Sequence, residues 1–324
     1  MRTPYQIARQ LVRPIKPIVV VHGGAWAIPD ALRDASLAGV QAAVEAAYSR
    51  LAEGASALDG VEAAVNALER NVAFNAGRGA SLNAVGEVEL DAVIVDGRTL
   101  GAGAVAGIGP VLHPVSVARQ VMEHTEHVML VGTGATAFAR EMGVPILDPS
   151  ELVTPEARAE WQAMAAYTQS VATFYNTERA APPLTPGHDT VGAVALDAEG
   201  NLAAATSTGG ITFKRVGRVG DSPLLGSSIG LTLTPCLRCS PRLTHTPCLR
   251  CSQRLTQCPL LHVHFSHRVV CTLRGTGSGA LADNERGAIS TTGHGESILK
   301  YNRAPPPSIP PLVARGTPSL SGLP

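Results

Sequence analysis

Short apolar runs separated by glycine, asparagine, aspartate and proline recur along this chain, and their spacing alternates between strand-like and helix-like. Pro17 to His22 is a Val/Ile-rich run that stops on Gly23 and Gly24, the pattern of a buried central strand. Two helical stretches follow. Leu37, Val40, Val44 and Tyr48 share a face between Leu32 and Ala52, and Leu58, Val61, Val65 and Leu68 do the same between Ala57 and Asn71. In FNAGRGASLNAVGEVELDAVIVDG, asparagine and glycine punctuate two expected strands, Glu87 to Leu90 and Ala92 to Val95. A strand at Gly103 to Ile108, a helix at Val115 to Glu123, a strand at Val128 to Val131 and a helix at Ala135 to Met142 continue the alternation.

From Leu147 to Gly187 the pattern becomes polar and helix-compatible, then Pro-rich at APPLTPG, which reads as an exposed connector rather than core. Behind it, Thr190 to Leu196 and Leu202 to Ser207 are two apolar strands joined by DAEGN, a hairpin signal. The connector therefore feeds into a buried hairpin that opens on a threonine, immediately after His188 and Asp189. By local pattern alone this is a turn followed by a strand, since Asp and Gly favour turns and Thr favours strands.

The 324 residues hold 26 basic and 26 acidic side chains, so bulk charge gives no reason to expect nucleic acid or an anionic membrane as a partner. A hydrophobic fraction of 45% is ample for a packed core, and no run approaches the roughly eighteen apolar residues of a membrane span. Small molecules or peptides are the default ligands. All six cysteines fall between Cys236 and Cys271, unlike a secreted disulfide framework, and point to a cytoplasmic protein. Residues 1–16 carry Arg2, Arg9, Arg13 and Lys16 but no acid, and are read as a loose N-terminal extension, with mitochondrial targeting the minor alternative. The glycines of LVGTGATAFA lack a lysine at phosphate-loop spacing and are set aside.

A threonine hydroxyl needs a neighbouring base to become a nucleophile. Cutting the bond before a mid-chain threonine releases an α-amine, with a reference pKa near ~8, that can serve as this base. The ordered motifs VVVHGGAWAIPD, FNAGRGASLNAVGEVELDAVIVDG, HDTVGAVALD, ATSTGG, GRVGDSP and STTGHGESILK resemble the plant-type L-asparaginase and isoaspartyl peptidase family of N-terminal-nucleophile hydrolases. The resemblance runs from Pro17 to Gly226 and resumes from about Gly277 to Asn302.

It implies an α+β fold, a four-layer αββα sandwich, self-cleaved into two subunits at the Asp189-Thr190 bond. It makes Thr190 the nucleophile and Thr208 its supporting hydroxyl, and puts Asn75 beside the amine and the reacting centre. Arg218 and Asp221 become the clamp on the substrate's α-carboxylate and α-ammonium, a job suited to a bidentate guanidinium and an acceptor carboxylate. Thr292 and Gly293 become the oxyanion hole, and Gly23 and Gly24 the loop near the scissile bond. The implied reaction is hydrolysis of L-asparagine and of β-linked isoaspartyl dipeptides, with no cofactor and no catalytic metal. A structural sodium near NAGRGASLN is a family habit that the sequence does not decide. A heterodimer of cleaved α and β chains, paired again, is the expected assembly. Glycosylasparaginase shares HDT and GRVGDSP, but STTGHGESILK is closer to the asparaginase branch, and no signal peptide or disulfide framework is evident.

The resemblance divides the chain into the extension 1–16, an α-subunit portion 17–189, a nucleophile portion 190–302 and a Pro-rich tail 303–324. About fifty residues foreign to the family, 227–276, interrupt the nucleophile portion. They contain TPCLRCSPRLTH followed by TPCLRCSQRLTQ, a repeat with a period of twelve. Cys236/Cys239 and Cys248/Cys251, with His245, His262, His264 and His267, invite a zinc or nucleic-acid reading. The eight-residue separation of the pairs is short for a zinc site, and a repetitive or splice-derived insertion is preferred. The tail cannot supply the strands the family adds there, so exposed sheet edges are expected. A non-maturing isoform that keeps the site residues is the competing reading.

Overall fold

The computed structural model describes residues 15–24, 28, 30–173, 190–225, 280–284, 287–290 and 292. Eight strands and five α-helices are assigned among them. β1 (Ile18–His22) precedes α1 (Asp30–Ala52) and α2 (Ala57–Arg70). β2 (Leu90–Asp96), β3 (Gly101–Ile108), α3 (Pro114–His124), β4 (Met129–Val131), α4 (Gly132–Glu141) and α5 (Pro155–Thr173) come next. β5 (Val191–Leu196) and β6 (Leu202–Thr208) form the expected hairpin, and β7 (Ala280–Asp283) pairs with β8 (Gly287–Ser290).

β1, β5, β6, β2, β3 and β4 form one sheet in that order, antiparallel except for the β3–β4 pair. Side chains along each strand alternate between two cores, as the pleat requires. Ala92, Ile94, Ala193, Ala195, Ala203 and Ala205 face α1 to α4, against Ala47, Val61, Val65, Leu68 and Val121. Val93, Val95, Val194, Leu202 and Ala204 face the β7–β8 sheet, against Ala280, Ala282 and Ala288. Both faces being covered, β5 and β6 are buried along their whole length, and this explains why their sequence alternates poorly. Of the four-layer sandwich expected from the resemblance, the described residues hold a helical layer and two sheet layers.

Local chemistry sets the frame. Ser56 and Asp59 close a reciprocal capping box at the start of α2. The hairpin turn is wound on Asp197, whose Oδ1 accepts the Glu199 and Asn201 amides at 3.0 and 2.8 Å while Oδ2 accepts the Ala57 amide at 3.1 Å. One carboxylate thus fixes the β5–β6 turn and seats it on α2.

Two readings are refined. The strand expected at Glu87 to Leu90 reduces to a single bridge between Leu82 and Val88, and Leu90 opens β2 instead. Helix α5 occupies 155–173 of the stretch read as a polar, helix-compatible connector, and it is tied to the fold by the Trp161 indole, which donates to Asn83 O at 2.8 Å with its ring 6.4 Å from that of Phe213. The remainder of that connector, 174–189, lies outside the described residues, as do the extension up to residue 14, the insertion 227–276 and the tail 303–324.

α3 approaches β3 closely. A β-carbon at Gly103 would collide with Ala118 O and lie 2.7 Å from Met122 N, so a helix backbone and not a flexible side chain fills the space. Gly103→Ala is expected to lower the unfolding free energy by about 3 kcal/mol, the upper range for overpacking. Without a clash, alanine would be the more stable residue. The denaturant midpoint checks this, and an unchanged midpoint would mean α3 does not lie this close.

Candidate active site

One end of the large sheet gathers most of the residues singled out above. β1 and β5 run antiparallel with His22 opposite Gly192, so Gly23 and Gly24 leave the sheet where Thr190 enters it. The β5–β6 register ends at Val191 opposite Ser207, and the next positions outward are Thr190 and Thr208. Thr208 in turn lies opposite Asp91 at the start of β2. Antiparallel pairing therefore lines up residues from four distant segments.

Thr190 is buried, and its hydroxyl shares a 2.8 Å hydrogen bond with that of Ser222. Thr206 Oγ1 donates to Ser222 O at 2.7 Å, so β6 itself holds Ser222 in place. Asp221, next in the chain, is buried at the same point. The Arg218 guanidinium folds back over the loop glycines: a β-carbon at Gly220 would lie 2.8 Å from Nη1, and one at Gly210 3.3 Å. GRVGDSP is thus wrapped against the threonine from which it is separated by almost thirty residues of chain.

The loop after β6 is pinned from below. Asn75, fully buried, donates from Nδ2 to Gly210 O at 2.6 Å and accepts the Ser81 amide on Oδ1 at 2.8 Å, while its carbonyl accepts the Gly209 amide at 2.9 Å. Thr208 Oγ1 accepts the Gly210 amide at 2.9 Å. Lys214 Nζ donates to Glu89 O at 2.7 Å and Gly209 O at 3.0 Å. Burial pushes the Lys214 amine below its ordinary range, with Asp91 and Glu89 pulling it back. Burial raises the Asp91 carboxyl, countered first by Lys214. A partly compensated charge pair therefore underlies the loop that carries Arg218.

Gly24 has φ +119°, a conformation that favours glycine, and Gly23 packs on the Phe74 ring so closely that a β-carbon would collide with it. On the opposite face of the sheet β8 runs toward the same end. Asn284, before β8, bonds Leu202 and Gly97 at the far end, whereas Ser290, its last residue, reaches His22 at the near end. Thr292, two residues further on, is buried, and its Oγ1 has no hydrogen-bond partner among the described residues. Asp189 and Gly293 lie outside the described residues.

Four participants were not singled out from the sequence: Ser222, Lys214, His22 and Ser290. Each stands inside or beside a quoted motif, but nothing local distinguishes Ser222 from a turn serine or His22 from a strand-end residue. Among the described residues no group of three or more His, Cys, Asp or Glu side chains is placed to hold a metal ion, and no helix is long and apolar enough to cross a membrane. A cavity of about 550 Å³, lined in part by Ser56, Asp96, Arg119 and Asn201, opens at the other end of the sheet, away from Thr190.

His22 is the most displaced base of the site. Burial lowers its pKa from 6.5 to about 4, offset in part by the Thr190 backbone. Between those two values the unfolded chain binds a proton that the folded chain refuses, so this residue's contribution to stability is constant above pH 6.5 and falls as pH drops toward 4. At 1.36 kcal/mol per unit the loss reaches about 3 kcal/mol. Thermal unfolding of the parent and of His22→Gln should show a stability difference that shifts in favour of His22→Gln across this window. A difference independent of pH would refute it.

A family profile described as Asparaginase matches residues 15–229. An isoaspartyl peptidase/L-asparaginase of Xenopus laevis is 40% identical over 288 residues, covering 88% of this chain and 73% of the relative. The protein of the same name from Homo sapiens is 41% identical over 293 residues, covering 90% of this chain and 75% of the relative. That from Danio rerio is 40% identical over 287 residues, covering 88% and 72%.

Proposed function

Since this chain belongs to the asparaginase family, we propose that it is a threonine-nucleophile amidohydrolase that cuts itself at Asp189-Thr190 and hydrolyses L-asparagine and isoaspartyl dipeptides. The observation that carries the reading is the contact between the Thr190 and Ser222 hydroxyls at 2.8 Å. It folds Asp221 and its loop onto a buried threonine at the mouth of β5, so nucleophile and clamp share one end of the sheet.

In this mechanism the released α-amine of Thr190 takes the proton of its own hydroxyl as Oγ adds to the substrate's β-carbonyl carbon. The developing oxyanion is met by the Thr292 hydroxyl and the Gly293 amide. Collapse breaks the C–N bond, and the amine passes its proton to the leaving nitrogen, so that ammonia or a peptide amine departs and a β-aspartyl ester remains. Water then cleaves the ester, giving aspartate and restoring the threonine. Arg218 holds the α-carboxylate and Asp221 the α-ammonium, while Thr208 and Asn75 keep the nucleophile's surroundings in place.

A structural sodium of the family's kind would be held by backbone carbonyls of the loop before β2. Carbonyls crowd there: a β-carbon at Gly77 would lie 2.5 Å from Glu69 O and 2.6 Å from Leu112 O, and one at Gly79 2.8 Å from Val72 O. Such hard oxygens are the donors an alkali cation takes. The ion would stiffen the loop bearing Asn75.

The test uses the full chain. Purified protein, incubated and resolved by denaturing electrophoresis with mass spectrometry, is expected to yield two fragments meeting at Asp189-Thr190 and to release aspartate from L-asparagine and from a β-aspartyl dipeptide. A chain that stays intact and inert overturns the proposal.

A further inference from the structure

β8 brings Thr292 toward Thr190, yet the described part of the sheet it belongs to is only two strands of four residues each. Its packing on the large sheet is through Ala280, Ala282 and Ala288, small apolar contacts that resist separation but have no preferred register. Directional contacts sit at the two ends. At the far end Asn284 accepts the Leu202 amide on Oδ1 at 2.8 Å, donates its own amide to Gly97 O at 2.9 Å, and donates from Nδ2 to Asn201 Oδ1 at 3.0 Å. At the near end Ser290 Oγ lies 2.7 Å from His22 Nε2 and donates to Ala205 O at 3.3 Å. His22 Nε2 and Ser290 Oγ share the shorter of these bonds.

This bond links β1 to β8 by passing over β5 at Gly192, two residues after Thr190. A β-carbon at Gly192 would collide with Ser290 Oγ and lie 2.5 Å from His22 Nε2 and 2.9 Å from Ala205 O. The strand lacks a side chain where the bond crosses it. Both partners are buried, His22 at 4% exposure and Ser290 at 0%, so water does not compete for either.

We infer that His22 and Ser290 are positioning residues for hydrolysis: their bond over Gly192 sets where Thr292 stands relative to Thr190. The inference rests on the roles proposed for those two threonines. A shift of about 1 Å in an oxyanion donor is enough to cost about a hundredfold in rate, and alanine contacts alone permit such a shift. The clamp loop has holds of its own in Asn75, Lys214 and Thr206, so substrate binding should change less than the rate of the chemical step.

Rates are measured per mole of cleaved chain for Ser290→Ala, Thr292→Ala and the pair combined, with L-asparagine as substrate. Ser290→Ala is expected to lower kcat tenfold to a hundredfold with KM changed less than threefold. His22→Gln, whose amide reaches the Nε2 position, is expected to keep at least a third of kcat, whereas the shorter His22→Asn should behave like Ser290→Ala. Because the bond acts through Thr292, Ser290→Ala should cost less than threefold when Thr292→Ala is already present. Full additivity, or a loss confined to KM, overturns the inference while leaving the Thr292 assignment intact. If Thr292→Ala alone leaves kcat unchanged, the oxyanion role falls first and the inference with it. Should Ser290→Ala yield no cleaved chain, the same cycle is run with His22→Asn.

Discussion

Thr190→Ala is expected to remain a single uncut polypeptide with no measurable aspartate release, however long it is incubated. The substitution deletes the only atom proposed to attack both the Asp189-Thr190 bond and the substrate. Its structural cost is moderate, about 1–3 kcal/mol, because alanine removes the described partner of the buried Ser222 hydroxyl. Loss of activity should therefore accompany a cooperative unfolding transition, lowered by no more than this. Thr190→Ser, which keeps the oxygen, should still cleave. Intact-mass spectrometry and an aspartate assay on the same samples decide the matter. Cleavage of the alanine variant at the same bond would move the nucleophile elsewhere, and turnover by an uncut parent chain would remove the need for a released amine.

The second largest effect is expected at Thr292. Removing one oxyanion donor costs about a hundredfold or more in kcat, and Thr292→Ala should do so with KM little changed. Stability separates this from damage to the fold. Thr292 is 1% exposed, and among the described residues its Oγ1 has no hydrogen-bond partner, so alanine there breaks no described bond. Thr292→Ala should consequently unfold at the same denaturant concentration as the parent. A rate loss together with a large fall in midpoint would assign Thr292 to packing instead.

Several elements were legible in the sequence for plain reasons. The run from Pro17 to His22 ends where glycines end it, and β5–β6 follows from two apolar stretches around DAEGN, whose aspartate does wind the turn. Strand Glu87 to Leu90 failed because alternation there is satisfied by one bridge, Leu82 to Val88. The stretch of helix α5 reads as helix-compatible but not as core, because its composition is polar and much of its described surface is exposed, although Trp161 anchors it. The β7–β8 pair carries too short a pattern, ALAD and GAIS, to register as strands away from the sheet that covers them.

The site divides in the same way. Thr190, Thr208, Asn75, Arg218, Asp221 and Thr292 were named from the resemblance, each lying in a short motif of a few adjacent residues that can be matched without the fold. His22 and Ser290 are 268 positions apart, and Thr190 and Ser222 are 32 apart. No local pattern encodes such partners, since their hydrogen bonds exist only once β1, β5, β6 and β8 have stacked. Chain order thus determined which functional groups this protein possesses and which bond precedes Thr190. Only the tertiary structure decided which of them meet, because antiparallel pairing and the covering of both sheet faces bring distant strand ends to one place and exclude the water that would otherwise take their hydrogen bonds.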